Sequence, residues 1–388
     1  MPAAPKYLIV ISGATAVGKT RMAIEVAKFY RTEIVSADSR QFYRELEVGT
    51  AKPSPAELNA VPHHFIDSLS IHDRYTVGDY ERDALALLDR LFQQHDQVVL
   101  TGGSGLFLNA VTRGLDKFPV VPEGVKRSVA LDLNAHGLPH LLAELKRTDP
   151  TYYAEVDRQN PARITRALGV IRASGQPFSS FRRGAFTQRP FIPIYLNLVR
   201  PRGELYARIN AREDQMLADG LLEEAFDLAP YKDLTPLQTV GYQEWWSHFA
   251  GEQTKEETVE LIKRNTRRYA KRQLTWFRRD PHWKHFGPAP EQLKRLLAYV
   301  QAFMEVNLRI HRMTEAEARR QMPRLSPSPY LQLVGAWSQQ QFVGAAILAK
   351  RQGGFEFQEV VLAEDLPEAM REALGSFLEE EARLLALG

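Results

Sequence analysis

Short apolar runs alternate with helical periodicity in the first part of the chain. Tyr7–Ile11 is apolar at every position, the pattern of a strand covered on both faces of a parallel sheet. Gly13–Thr20 follows, and then Arg21–Phe29, whose apolar residues Met22, Ile24, Val26 and Phe29 predict a helix. Glu33–Ser36 predicts a second strand. Val77–Gln94 predicts a second helix with Tyr80, Leu85, Leu88 and Leu91 on one face, and Gln97–Leu100 a further buried strand ending in Thr101-Gly-Gly-Ser-Gly105. Alternating strand and helix predicts an α/β core with a parallel sheet, whose loops at the strand ends form the ligand side.

The pattern changes between about 119 and 190, where a polar helical stretch is punctuated by Pro139, Pro150, Pro161 and Pro177. Ile192–Val199 returns to strand character, and Gly203–Asp219 and Thr254–Arg279 predict long helices. Beyond residue 304, Tyr330–Trp337, Phe342–Lys350 and Phe355–Leu362 predict an antiparallel meander, with a helix over Pro367–Leu385. The expected organisation is a phosphate-loop α/β core from 1–118 and 191–303, a helical insertion at 119–190, and a small α+β extension at 304–388.

The composition is that of a globular protein, with 44% hydrophobic and 25% charged residues, long enough to bury a sizeable core. There are no cysteines, which excludes disulfides, thiolate catalysis and Cys-based zinc sites. The net charge is only +3, so its distribution carries more than its total. The apolar start reads as a strand and not a secretory signal, and no run approaches the roughly 20 residues of a membrane span. The expectation is a cytoplasmic monomer.

Gly13, Ala14, Thr15, Ala16, Val17, Gly18, Lys19 and Thr20 fit G-x-x-x-x-G-K-[ST] in full. Between a strand and a helix, the glycines let backbone N–H groups turn toward an anion, and the helix N-terminus adds partial positive charge. Lys19 reaches phosphate oxygens, and Thr20 is the expected ligand of Mg²⁺, the expected cofactor. Hydrolysing NTPases also carry an Asp at the end of a second apolar strand. None follows Gln97–Leu100. Asp38, after Glu33-Ile-Val-Ser-Ala, fits three roles: Mg²⁺ ligand, general base, or helix N-cap.

Further motifs appear in order: Ser36–Tyr43 (SADSRQFY), Gly49–Pro53 (GTAKP), Pro62–Asp67 (PHHFID), Tyr75–Tyr80 (YTVGDY) and Gly102–Phe107 (GGSGLF). Then come Asn160–Leu168 (NPARITRAL), Arg208–Arg212 (RINAR), Gly220–Glu224 (GLLEE), Val240–Glu244 (VGYQE) and Tyr269–Arg278 (YAKRQLTWFR). With these motifs the chain resembles the tRNA dimethylallyltransferase, or isopentenyltransferase, family over residues 6 to 287. The resemblance implies that the loop holds the diphosphate of dimethylallyl diphosphate, and that the acceptor is the exocyclic amine of the adenine just 3′ of a tRNA anticodon. It implies Asp38 as general base, Arg212 facing the donor, and Ser104 at a position the family usually fills with Thr. It also implies tRNA contacts through Asp38, Ser39, Arg40, Gln41 and Ser104, through Lys126 and Arg127, and through Ala162, Arg163, Ile164, Thr165 and Arg166. An adenine in a stacked loop must be extruded to reach a pocket.

Lys263–Arg279 holds eight Lys or Arg and no acid, interleaved with Tyr269, Trp276 and Phe277. Arg267, Arg268, Lys271 and Arg272 are therefore expected on tRNA phosphates. Trp276 and Phe277 read equally as stacking platforms or as core. His63 and His64 lack a spaced partner set and are weak candidates for zinc. The extension lies outside the resemblance. It looks distantly like part of a GNAT-type acetyltransferase, but Leu362-Ala-Glu-Asp-Leu-Pro367 replaces the glycine-rich acyl-CoA loop, so the expectation is a binding or stabilising module. Three other functions remain open: prenyl transfer to free adenine nucleotides, a phosphate-loop kinase or NTPase, and tRNA binding without chemistry.

Overall fold

The computed structural model describes residues 5–182, 187, 189–280, 282–306, 308–312, 331–338, 341–351 and 354–362. They fall into two compact units, one of Met1–Leu108 with Pro190–Gly388, the other of Asn109–Arg189.

The first unit is built on six parallel strands: β1 (Tyr7–Gly13), β2 (Ile34–Ser36), β3 (His63–His64), β4 (Gln97–Gly102), β5 (Ile192–Leu198) and β6 (Lys284–Phe286). Their order is β3-β2-β4-β1-β5-β6. β1 is central and wholly buried; Ile9 pairs with Val99 on one side and Ile194 on the other. Its uninterrupted apolar sequence is what a doubly covered strand requires.

Helices α1 (Lys19–Tyr30), α2 (Pro55–Ala60), α3 (Val77–Leu91) and α4 (Gly105–Arg113) connect these strands. In α1, Met22, Ala23, Ile24, Val26 and Ala27 are buried, whereas Phe29 is exposed. In α3 the buried face is Tyr80, Ala84, Leu87, Leu88 and Leu91. Leu85, expected on that face, is only half-buried, because the stripe follows the i, i+4, i+7 positions from Tyr80.

The second unit holds α5 (Glu123–Thr148), interrupted at Gly137 (φ 73°) just before Pro139, with α6 (Pro150–Glu155) and α7 (Pro161–Ser174). Val129, Leu141, Leu145, Tyr152, Ile164 and Leu168 form its core. Arg172 ties α7 to both halves of α5 through Asp132 at 2.7 Å and Glu144 at 2.5 Å. The unit begins at Asn109, earlier than the change in composition, since the chain entering it is bonded to the chain leaving it: Thr187 N donates to Arg113 O at 2.8 Å.

Back in the first unit come α8 (Arg202–Ala218), α9 (Leu221–Leu228), α10 (Trp245–Phe249), α11 (Lys255–Arg278) and α12 (Glu291–Val306). A capping box between Thr254 and Glu257 opens α11, whose buried face runs Thr258, Ile262, Thr266, Ala270, Gln273, Phe277. β7 (Leu308–Arg312), β8 (Leu331–Ser338), β9 (Gln341–Arg351) and β10 (Gly354–Leu362) form an antiparallel sheet in the order β10-β9-β8-β7. The three strands of the expected meander are present, with β7 as a fourth. The helix expected over Pro367–Leu385 lies outside the described residues.

Three motifs meet in one scaffold. The Glu224 carboxylate accepts from the backbone N–H groups of Glu47, Val48 and Gly49 at 3.1, 2.8 and 3.1 Å and from the Tyr242 hydroxyl. A Cβ on Gly49 would lie 2.6 Å from the Tyr242 ring. Gly49→Ala should therefore destabilise the protein by about 1–3 kcal/mol, the usual range for overpacking. A thermal melt checks this, and an unchanged Tm would show that Tyr242 is free to move aside.

Candidate active site

The C-terminal ends of β1, β2, β4 and β5 place four loops side by side, as open parallel sheets do for ligands. After β1, Gly13 (φ 148°) and Gly18 (φ 110°) take conformations that suit glycine. A Cβ on Gly13 would meet Leu198 O and Val17 Cγ1, both at 2.8 Å. The chain then enters α1, whose first-turn N–H groups have no intrahelical acceptor and are suited to an anion.

Two arginines hold the loop from the far side. Arg200 Nε donates to Val17 O at 2.9 Å, and Arg208 Nε to Ala16 O at 3.0 Å. Gln273 of α11 is buried against it: its Oε1 accepts from Thr15 N at 2.9 Å, and its Nε2 donates to Gly103 O at 2.9 Å. None of these three was assigned a role from the sequence. Arg208 and Gln273 lie inside quoted motifs, but their partners are remote in the chain, and only that pairing reveals what they do.

Lys19 Nζ donates to Ala14 O at 3.0 Å. Burial lowers its pKa to about 8; the Asp38 carboxylate opposes the shift and the Arg212 guanidinium adds to it. Asp38 and Arg212 both lie near enough to Lys19 to act on its charge. Arg212 Nη2 is 3.5 Å from Glu213 Oε1, and Arg212 Nε is buried with no hydrogen-bond partner among the described residues. Burial raises the pKa of Glu213, against the pull of Arg212 and Thr266.

Asp38 follows β2. Its Oδ1 accepts from Arg40 N at 3.1 Å, and its backbone carbonyl from Gln41 N at 3.1 Å. That is a turn, and no α-helix begins there, so the N-cap role falls away. Tyr80 fixes the approach, donating to Ser36 O at 2.8 Å. Ser39 is half-buried beside it. Arg40 Nη1 donates to Thr235 O at 3.2 Å, while its guanidinium faces Asp38, Tyr43 and Tyr269. The Gln41 amide donates to Thr50 O and Ala51 O at 3.3 and 3.0 Å, which fastens its own loop. Ser104 lies just before α4, half-buried, and its carbonyl accepts from Leu108 N.

α11 presents two faces. Phe277 is fully buried, whereas Trp276 and Tyr269 are 45% and 37% exposed, so the two aromatic readings divide between adjacent residues. The Trp276 ring leaves no room for a side chain at Gly105, where a Cβ would lie 1.9 Å from Nε1. Arg268, Lys271 and Arg272 are exposed. Arg267 is half-buried and donates to Asn210 Oδ1 at 2.6 Å, so it is partly committed within the fold.

In the second unit, Lys126, Arg127, Ala162, Arg163 and Arg166 are exposed, with Lys126 paired to Glu123 and the Arg166 guanidinium over the Phe118 ring at 5.2 Å. Thr165 donates to Ala162 O at 3.2 Å. Ile164 is fully buried in that unit's core, because a helical segment turns part of its residues inward, so its side chain faces the core and not the surface. His63 donates to Val61 O at 2.8 Å and His64 to Glu33 Oε2 at 2.5 Å, both structural bonds. Among the described residues no group of three His, Asp or Glu could hold a metal.

A glycine-rich loop between the central strand and the first helix of an open parallel sheet makes this a phosphate-loop α/β protein, and the absence of an acid at the end of β4 sets it apart from the hydrolysing kind. The family model for IPP transferase matches residues 41–280. A tRNA dimethylallyltransferase of Christiangramia forsetii is 47% identical over 296 residues, 76% of this chain and 98% of that protein. One from Cytophaga hutchinsonii is 44% identical over 77% of this chain and 98% of its own length. Among solved structures, the tRNA isopentenylpyrophosphate transferase of Bacillus halodurans superposes with a TM-score of 0.59 at 32% identity, covering 77% of this chain and 97% of that one. A eukaryotic dimethylallyltransferase shares the fold, with a TM-score of 0.67 at 20% identity over 97% of this chain. The chain belongs to the tRNA dimethylallyltransferase (IPP transferase) family of prenyl-transferring enzymes.

The lowered pKa of Lys19 gives a signed expectation. Between about pH 8 and its unfolded value the folded protein holds fewer protons than the unfolded chain, so the penalty of burying Lys19 is full below that window and fades as pH rises through it. Anion binding needs the charged amine and should run the opposite way. Affinity for inorganic diphosphate should fall above about pH 8 in the wild type, and this added fall should be absent in Lys19→Arg, since arginine stays charged. Titration calorimetry across pH for both proteins checks this; identical profiles would remove Lys19 from the anion site.

Proposed function

We propose that this chain transfers a dimethylallyl group from dimethylallyl diphosphate to N6 of the adenine 3′-adjacent to the anticodon in tRNA. What supports the reading is the glycine-rich loop at the head of α1 with its buried Lys19, on which Asp38 and Arg212 both act, beside a basic helix that is bonded to that loop through Gln273 and exposes Tyr269 and Trp276. The relatives named above supply the reaction class.

In this reading the diphosphate lies on the amides that open α1, with Lys19 and Arg212 against its oxygens. A Mg²⁺ ion on the Thr20 hydroxyl and diphosphate oxygens, hard donors that suit it, would add further charge compensation. The N6 lone pair attacks the allylic carbon, an N–C bond forms, and the C–O bond breaks with its electron pair leaving on diphosphate. The N6 proton passes to the Asp38 carboxylate, which offsets the weak nucleophilicity of an amine conjugated with its ring. Lys19, Arg212 and the loop amides are the groups that would meet the charge growing on the leaving group. One chain carries every group this step uses, and the proposed setting is a monomer working in the cytoplasm, where tRNA is found. Among the described residues no helix is long and apolar enough to cross a membrane.

The kinase reading is disfavoured because β4 ends in Thr101-Gly102-Gly103-Ser104, without a carboxylate for a nucleotide-bound metal. The free-nucleotide reading leaves the exposed Arg268, Lys271 and Arg272 unexplained. Incubation with dimethylallyl diphosphate, Mg²⁺ and bulk tRNA, followed by mass spectrometry of nucleosides, tests the proposal; prenylated AMP without prenylated tRNA, or steady ATP hydrolysis, would replace it.

Asp38→Ala should lose roughly 10²–10⁴ in transfer rate while keeping donor and tRNA binding at neutral pH. A collapse of donor binding instead would make Asp38 a metal ligand. Removing Arg268 and Lys271 together should lower the salt slope of tRNA binding by about two, since each phosphate contact releases counterion, with little change in rate at saturation. Filter binding across salt concentrations checks it, and parallel lines of equal intercept would place both charges in solvent only.

A further inference from the structure

The loops after β1, β2 and β4 are laced sideways by hydrogen bonds that belong to none of their own elements. Ala37 N donates to Thr101 O at 2.7 Å, and a Cβ on Gly102 would meet Ala37 O at 2.7 Å. The loop after β4 is thereby locked against the residue preceding Asp38. The remaining gap, between that loop and the phosphate loop, is spanned by Gln273 alone among the described side chains that bond both Thr15 N and Gly103 O. Its fit is close: a Cβ on Gly103 would lie 2.4 Å from Gln273 Nε2. About one turn further along α11, Trp276 rests on Gly105, so neighbouring i, i+3 positions of that helix bear on both ends of the Gly103–Gly105 segment that carries Ser104.

We propose that Gln273 is a positioning residue for prenyl transfer: its single buried amide sets the separation between the loop that holds the diphosphate and the loops that carry Ser104 and Asp38. This rests on the proposed function. A primary amide of this length accepts from Thr15 N–H and donates to the Gly103 carbonyl at any working pH. A carboxylate accepts but cannot donate, and a thioether does neither. Gln273 need touch neither substrate. It fixes the approach of donor carbon to acceptor nitrogen, and misplacement by about an ångström costs on the order of 10²-fold in rate.

The test uses Gln273→Met and Gln273→Glu in the full chain, with single-turnover transfer at saturating dimethylallyl diphosphate and tRNA, affinity for inorganic diphosphate and for tRNA, and thermal melts. Gln273→Met is expected to lose roughly 10²-fold in rate while both affinities stay within about threefold. Gln273→Glu supplies a pH signature and an independent arm should the Met variant fail to fold. Its introduced carboxyl donates to Gly103 O only when protonated, so its rate relative to wild type at the same pH should rise about fivefold or more as pH falls from 8 to 6. A Met variant within about threefold of wild type would overturn the proposal, as would rate and both affinities falling together with Tm, or a flat ratio for the Glu variant. In those cases the wild type still prenylates tRNA and the proposed function stands. A wild type that gives no prenylated tRNA would overturn both.

Discussion

A diphosphate carries concentrated negative charge, and it can be held away from bulk water only where positive charge and free amides are already fixed in place. The cost of that arrangement is visible in the protein itself. Lys19 is buried deeply enough that its amine is pushed down to about 8, and Arg212 next to it adds repulsion that Asp38 only partly relieves. Arg212 Nε is left buried without a partner among the described residues. Two neighbouring cations, one with a free Nε, suit an anion, and the surrounding structure serves to hold them in place.

Much of the sequence that looks chemical turns out to be the means of doing so. Glu224, Gly49 and Tyr242 come from three separate motifs and form one knot that closes the loop beyond Asp38. The Tyr75–Tyr80 motif contributes a helix cap at Thr76 and Asp79 and a hydroxyl on Ser36 O, two residues before the candidate base. Arg200 and Arg208, charged and near a phosphate loop, spend their Nε donors on loop carbonyls. What a motif residue does is therefore decided by its partner, which shows whether its part is reaction or geometry.

α11 shows how one helix serves both ends. Its inner positions, Thr266, Ala270, Gln273 and Phe277, recur at helical spacing and pack into the first unit, while Arg268, Lys271 and Arg272 project from the other side. The burial of the first set holds the second in a fixed direction. Lys263 and Arg267, at the margin, are drawn to Asp214 and Asn210 and are partly used up by the fold.

The sequence by itself determined the local chemistry. The apolar Tyr7–Ile11 run, the loop glycines and the helical periodicity after them depend only on near neighbours, and the strand, cradle and helix follow from them. The order of the motifs likewise fixed the family. Tertiary structure alone decided whatever depends on contacts between distant segments. It buried Ile164 and Phe277 but exposed Trp276, since a helix shows which of its residues face inward only when packed. It removed the N-cap role from Asp38, because the turn that follows does not become a helix. And it made Gln273, unremarked in a basic stretch, the link between loops 258 residues and 170 residues away in the chain. A side-chain amide has no periodicity to betray it; its meaning lies wholly in the two backbone groups it meets.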